Sequence, residues 1–347
     1  MPRASGAVGL VRPKLQDVAA LAGVSPGTVS NALNHPEKVA PETMERIQSA
    51  IGELGFRRNS AASTLASGKS TVLGLVVIDL MNSLFVDITR GAQETARMSG
   101  FDLQLADSDN DESQQGSHLQ FFESAGVAGV LLAPVHETHA SVEFLRAHDV
   151  PVVLVNHFSE ADACCTVLID NEKAGYMAAR HLIELGRRRI AFVGGQTPVQ
   201  PVQQRRKGVL RALNETNGAV ELLDVPTADL NGGSGAAVGA RFAAMSPRER
   251  PDGVLAVTDL LGSAIIGELM TGGITVPQQV AVMGCDHNSV AWGGAMPMTS
   301  VAMRGREMGR AGVELMVREL RDRNGAHEHR TIVLEPELVR RESTIGR

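Results

Sequence analysis

The 347-residue chain is poor in three things, and each shortage removes a class of protein. Only three cysteines occur, Cys164, Cys165 and Cys285. An adjacent pair plus one distant thiol makes neither a disulfide framework nor a spaced zinc site. They read as inert thiols of a reducing compartment, with Cys164 in a loop and Cys165 on the next strand. No run of about 18 apolar residues exists, so no transmembrane helix is expected. The first dozen residues, MPRASGAVGLVR, are too weakly apolar for a secretory signal and read as a loose tail. A cytoplasmic protein is the expectation. Aromatics make up only 3%, yet 43% hydrophobic residues and 36 glycines suit a globular α/β chain of two or three domains.

Catalytic signatures are lacking too. There is no P-loop, no G-x-S-x-G elbow and no H-E-x-x-H helix. Gly194-Gly195 follows a strand pattern without the rest of a dinucleotide fingerprint, which leaves a strand-end turn. The ten histidines are scattered, and His-Glu-His at 327–329 falls in a polar loop that reads as solvated. We expect no enzyme, no cofactor and no metal site.

The net charge of −6 opposes nucleic-acid binding only until its distribution is read. Residues 1–70 carry eight Lys/Arg against five Asp/Glu, which leaves 25 against 34 for the remainder. A mildly basic N-terminal segment on an acidic body confines phosphate attraction to one end.

That basic end contains the most informative stretch, Leu15 to Asn34. Leu15, Val18, Ala19 and Ala22 recur at helical spacing. Gly23 supplies a left-handed helix end, Ser25 can cap a second helix, and Pro26 fits its first turn. The second helix turns Val29, Ala32 and Leu33 inward and Gly27, Thr28, Ser30, Asn31 and Asn34 outward. After HPEKV, a third helix begins at Pro41 with Met44, Ile47, Ile51 and Leu54 on one face. A short αα-hairpin is common in bundles, but three such helices form a complete helix-turn-helix module able to enter a major groove.

The segment DVAALAGVSPGTVSNALN resembles the headpiece of the LacI/GalR (lactose-repressor/galactose-repressor) family of transcription regulators. The resemblance implies that Ser25, Pro26, Gly27, Thr28, Ser30, Asn31 and Asn34 face DNA, with Pro26, Gly27 and Asn31 at the base-choosing positions. Pro26 and Gly27 offer no side-chain donor or acceptor, so Asn31 is the main specific reader; an amide pairs bidentately with adenine. By the same resemblance RRNSAASTLASGK (57–69) is a hinge helix that orders on DNA, with Asn59 and Ala62 at the DNA and Leu65 as a minor-groove wedge. The residues alone describe a flexible linker.

From Val72 onward, short β-rich runs alternate with helical ones for about 230 residues. The strand runs are 72–79, 101–107, 129–133, 151–156, 189–195, 220–225, 253–258 and 280–286. Such alternation means parallel sheets covered by helices, and the strand count calls for two doubly wound subdomains. The expected layout is a tail at 1–13, a headpiece at 14–57, a linker at 58–71 and a core at 72–347. Within the core, about 72–170 and 301–330 form one subdomain, and about 171–300 and 331–347 the other. This core is similar to the type I periplasmic-binding-protein fold of the family.

Ligands of open α/β sheets bind beyond the carboxyl ends of strands. Asp79, Asn82, Phe85, Asn156, His157, Asp170, Asp259 and Asp286 occupy such ends, and Arg205 begins a following helix. The resemblance selects Asn82, Phe85, His157, Asp170, Arg205 and Asp286 as effector-binding. For each aspartate the plain alternative is a helix cap, and it is preferred for Asp259. Two positions depart from the family pattern: Leu230 and Cys285 stand where aromatics are usual. That puts a sugar or purine effector in doubt and leaves Phe85, His157 and Trp292 as possible platforms. The expected function is a DNA-binding repressor, a homodimer on a palindromic double-stranded operator, controlled by a small polar effector. The alternative is a solute-binding protein of the same core fold without a regulatory role.

Overall fold

A computed structural model describes residues 13–56, 70–136, 139–159, 163–195, 199–287, 294–322 and 327–346. The chain divides into two units, Met1–Lys69 and Ser70–Arg347.

The first unit contains α1 (Leu15–Ala22), α2 (Pro26–Asn34) and α3 (Pro41–Leu54). Gly23 ends α1 at φ 64°, ψ 40°, the left-handed region that costs glycine nothing. Val18, Ala19, Ala22, Val29, Ala32, Ile47 and Ala50 form its buried core. These small side chains let three short helices approach closely.

The second unit begins with β1 (Val72–Val77), α4 (Ser83–Met98), β2 (Asp102–Asp107), α5 (Glu112–Ser124), β3 (Gly129–Leu132), α6 (His139–Ala147), β4 (Val152–Val155) and β5 (Cys165–Ile169). It continues with α7 (Asn171–Glu184), β6 (Arg189–Val193), α8 (Gln200–Asn214), β7 (Glu221–Val225), α9 (Gly232–Ala244), β8 (Gly253–Ala256), α10 (Asp259–Thr271), β9 (Ala281–Asp286) and β10 (Thr299–Ala302). The last elements are α11 (Gly305–Arg321), β11 (Thr331–Leu334), β12 (Glu337–Val339) and α12 (Glu342–Ile345). Two six-stranded sheets result, ordered β11-β5-β4-β3-β1-β2 and β12-β10-β9-β8-β6-β7. All pairs are parallel except β10–β12. The central strands are buried Val/Leu/Ile runs without alternation, as sheets covered on both faces require.

The two lobes repeat one plan, including helix pairs seated on glycine. A Cβ on Gly309 of α11 would meet the Ile88 carbonyl oxygen of α4 at 2.0 Å, and one on Gly208 of α8 would meet that of Glu172 at 1.8 Å. Only glycine allows those backbones to approach so closely.

The chain crosses between lobes after β5, after β10 and after β11. The last crossing corrects the expected boundary at 330/331. Thr331–Leu334 pairs with Thr166–Ile169 and so completes the first sheet. Glu337–Val339 then joins the second. Pro336 lies between them, with no N–H for a ladder and a bias against continuing the preceding backbone, and it separates the two strands. The other expected boundary, 300/301, falls inside β10, which belongs wholly to the second sheet.

Candidate functional site

In the headpiece the start of α2 is built as the sequence suggests. Ser25 caps it, its Oγ accepting from the Thr28 backbone N–H at 3.1 Å and pairing with Thr28 Oγ1 at 2.8 Å. Pro26 occupies the first turn. Ser25, Pro26, Gly27 and Asn31 are exposed, whereas Thr28 and Ser30 are half-buried. The outer face is therefore small and polar, with Asn31 its longest side chain among them. Asn34 ends the helix. Asn59, Ala62 and Leu65 lie outside the described residues, as does Trp292.

In the core, the parallel strands of each lobe present their carboxyl ends on one edge. A cavity of about 260 Å³ opens there between the lobes. Asn156, His157 and Phe158 follow β4 of the first lobe; Asp170 lies at the crossing; Asn171, Gln200 and Gln204 come from α7 and α8 of the second. Leu168, Pro201 and Val333 give it apolar wall. The lobes are joined beside it by an amide clasp. The Phe158 N–H donates to Gln200 Oε1 at 2.7 Å, and Gln200 Nε2 donates to the Phe158 carbonyl at 3.1 Å. Asn156 holds a left-handed backbone, φ 56°, and its Oδ1 is buried without a hydrogen-bond partner among the described residues. An orphaned acceptor in a cavity wall is a place for a ligand donor.

Of the six expected effector residues, His157 and Asp170 line this cavity. Asp170 also caps α7, accepting from the Lys173 N–H at 2.8 Å. Asn82 caps α4 through the Leu84 N–H at 3.0 Å and is not in the cavity wall. Phe85 is 4% exposed within the main core, so it offers no open ring face. Arg205 is buried behind the cavity, its Nε donating to Asn171 Oδ1 at 2.9 Å and its Nη1 to the Val257 carbonyl at 2.6 Å. It orients a wall residue rather than forming the wall.

Asp286 lies deeper in the second lobe at the end of β9, with φ 124°, well outside ordinary side-chain-bearing backbone. Its Oδ2 accepts from the Asp259 N–H at 3.4 Å, and its Oδ1 is buried without a partner among the described residues. Burial, and then the neighbouring Asp259, push this carboxyl well above the usual range against the pull of Arg205. Asp259 is no helix cap: Thr258 caps α10, and Asp259 Oδ1 instead accepts from Ser300 Oγ at 2.6 Å. Cys285 beside it is fully buried, with a thiol pushed up to about 12 by that burial.

Comparison with known proteins matches residues 14–59 to the model for bacterial regulatory proteins of the lacI family. Residues 179–344 match the periplasmic binding protein-like domain. A solved transcriptional regulator, the CelR–cellobiose complex, is 30% identical and superposes with a TM-score of 0.69, covering 96% of this chain and all of that one. The chain belongs to the LacI/GalR family. It is thus a DNA-binding transcriptional regulator, and its relatives are regulators rather than enzymes. The PurR repressor of Aliivibrio fischeri (strain MJ11) is 25% identical over 334 residues, 96% of this chain and 98% of its own. The lac repressor dimer bound to operator and the anti-inducer ONPF shares the fold at TM-score 0.82 and 20% identity, over 96% and 99% of the two chains. No helix among the described residues is long and apolar enough to cross a membrane.

For this LacI-family chain, sequence reasoning missed Phe158, Gln200 and Gln204 as wall residues. The glutamine-rich start of α8, QPVQQ, was the available signal. Phe158 is the aromatic that the cavity presents, 46% exposed.

Proposed function

We propose that this regulator represses transcription as a homodimer on a palindromic operator, and that a small polar ligand in the interlobe cavity sets its operator affinity. The observation that carries the reading is the composition of the cavity wall, which takes polar groups from both lobes. A ligand held by both favours one lobe arrangement over another, and only such differential affinity shifts an equilibrium. One helix-turn-helix reads one half-site, and a two-fold dimer supplies the other. His157, Asp170 and Asn156 Oδ1 are the proposed ligand groups in this wall, with the orphaned Asn156 oxygen taking a hydroxyl or amine hydrogen. The ring of Phe158 serves as an apolar platform. The cellobiose in the CelR structure supports a polyhydroxylated ligand class.

On the DNA side, Ser25, Thr28, Ser30 and Asn34 are assigned to phosphates and Asn31 to an adenine, with Asn59, Ala62 and Leu65 at the minor groove. Selection of bound sequences from a random duplex pool tests this. A palindrome with an A·T pair under Asn31 is expected, and Asn31→Arg should move that position to G·C by about 1–3 kcal/mol. Sites with G·C at every helix-contacted position for the unaltered chain would refute the assignment. Adding sugars and other polar metabolites to the selected duplex in gel-shift titrations then tests the effector.

A further inference from the structure

In the His-Glu-His loop at 327–329 only Glu328 is exposed, and the two histidines are half-buried. The loop folds back under the first lobe, where the His327 side chain is only 11% exposed. There it meets Cys165, buried at the start of β5, and Glu319 near the end of α11. Cys165 Sγ lies 3.2 Å from His327 Nε2 and 3.9 Å from His329 Nδ1, and His327 Nε2 lies 3.7 Å from Glu319 Oε2. One ligating atom from each of the four residues falls within 4.8 Å of all the others. Glu319 Oε2 is buried with no hydrogen bond among the described residues, and burial raises its carboxyl above the usual range.

We propose that Cys165, Glu319, His327 and His329 form a binding site for a divalent transition metal of the zinc type. Bonds of about 2.0–2.3 Å to S, N and O in a tetrahedron place ligand atoms roughly 3.3–3.7 Å apart. Three pairs here stand 3.2, 3.7 and 3.9 Å apart and every pair is within 4.8 Å, so small side-chain shifts would close the set on an ion. One thiolate, two imidazoles and a carboxylate make a borderline-soft set that selects zinc, cobalt, nickel or copper over magnesium or calcium. Binding deprotonates the thiol: the metal–sulfur bond forms and the Cys165 proton passes to solvent. The carboxylate and thiolate together neutralise the 2+ charge. The pairing of Thr331 with Thr166 builds the site, because it carries the 327–330 segment to the amino end of β5. That is the sheet edge at which the chain enters β1, opposite the edge that bears the interlobe cavity. The site is therefore separate from the effector cavity.

The test uses the untagged full chain, stripped with a chelator and titrated with Co²⁺. One equivalent is expected to give a thiolate-to-cobalt charge-transfer band with tetrahedral d–d intensity, discharged by Zn²⁺. Cys165→Ser should abolish the band. His329→Gln, at a half-exposed position that spares the core, should weaken Co²⁺ binding beyond the roughly 10–100-fold that losing an outer partner costs. Cys164→Ser should keep the band. Absence of a charge-transfer band in the parent chain would overturn the proposal and leave a hydrogen-bonded cluster. Its survival in Cys165→Ser, or unaltered Co²⁺ affinity in His329→Gln, would equally overturn it.

Discussion

The two lobes of the core share a strand order and differ in what they bury. The first lobe buries Ser108, Gln115, Asn156, His157 and Thr166 as its polar residues, none of them an aspartate or arginine. The second buries Arg205, Asp259, Asp286 and Arg341, all 7% exposed or less. Its network runs from Asn171 through Arg205 to the Val257 carbonyl, and from Asp259 to Ser300. A further contact joins Arg341 Nη2 to His287 Nδ1 at 2.8 Å. Packed hydrophobic side chains would serve stability as well as buried ion groups, which carry a desolvation cost of several kcal/mol each. The fold therefore does not require these charges. Their concentration in one of two equivalent lobes is the main chemical difference between the lobes, and under the proposed function it assigns the polar support of the cavity wall, through Arg205 and Asn171, to the second.

The comparison breaks most sharply at Phe122, 2% exposed in a separate apolar cluster of the first lobe. Phe122→Ala should cost about 3–5 kcal/mol, as emptying an aromatic core site does. Urea unfolding would measure the loss, and effector potency on operator affinity should stay unchanged in the folded fraction. Altered potency would show that the first lobe's core sets the strand-end geometry after all.

Arg205→Ala addresses the second lobe. It leaves two buried acceptors, Asn171 Oδ1 and the Val257 carbonyl, without their donor, at about 1–3 kcal/mol each. A loss of about 2–6 kcal/mol is expected, together with a weakened ligand-induced thermal shift because Asn171 in the cavity wall is no longer held. Full ligand response in this variant would place recognition elsewhere.

The smallest effect, and one of opposite sign, belongs to Asp286→Asn. The folded chain holds the Asp286 proton more tightly than the unfolded chain, so its contribution to stability is complete in acid. That contribution is lost as pH rises from the ordinary carboxylate range toward the raised folded value. The amide carries no such penalty. The variant should therefore melt higher than the parent near neutral pH, with the gap closing toward acid. A gap independent of pH would show that this carboxyl is not the buried proton-binding group.

Much of this molecule was legible locally. The three headpiece helices are set by Gly23, Ser25, Pro26 and the spacing from Val18 to Ile51, all of which act within a turn or two of themselves. The strand–helix alternation from Val72 was equally plain, because buried parallel strands announce themselves as short Val/Leu/Ile runs. Periodicity and capping are local signals, and one strand of sequence carries them in full. What it does not carry is which distant segments become neighbours.

Tertiary structure decided that Thr331–Leu334 belongs to the first sheet, since an edge strand is assigned by the ladder it joins and not by its own residues. It decided that Arg205 points at Asn171 and Val257, which are 34 and 52 residues away. It also decided that Asn156 Oδ1 is left without a partner among the described residues. Above all it brought Cys165 to His327, 162 residues apart. A metal motif is recognised in a sequence by short ligand spacing, and here the register of two parallel strands supplies the proximity instead.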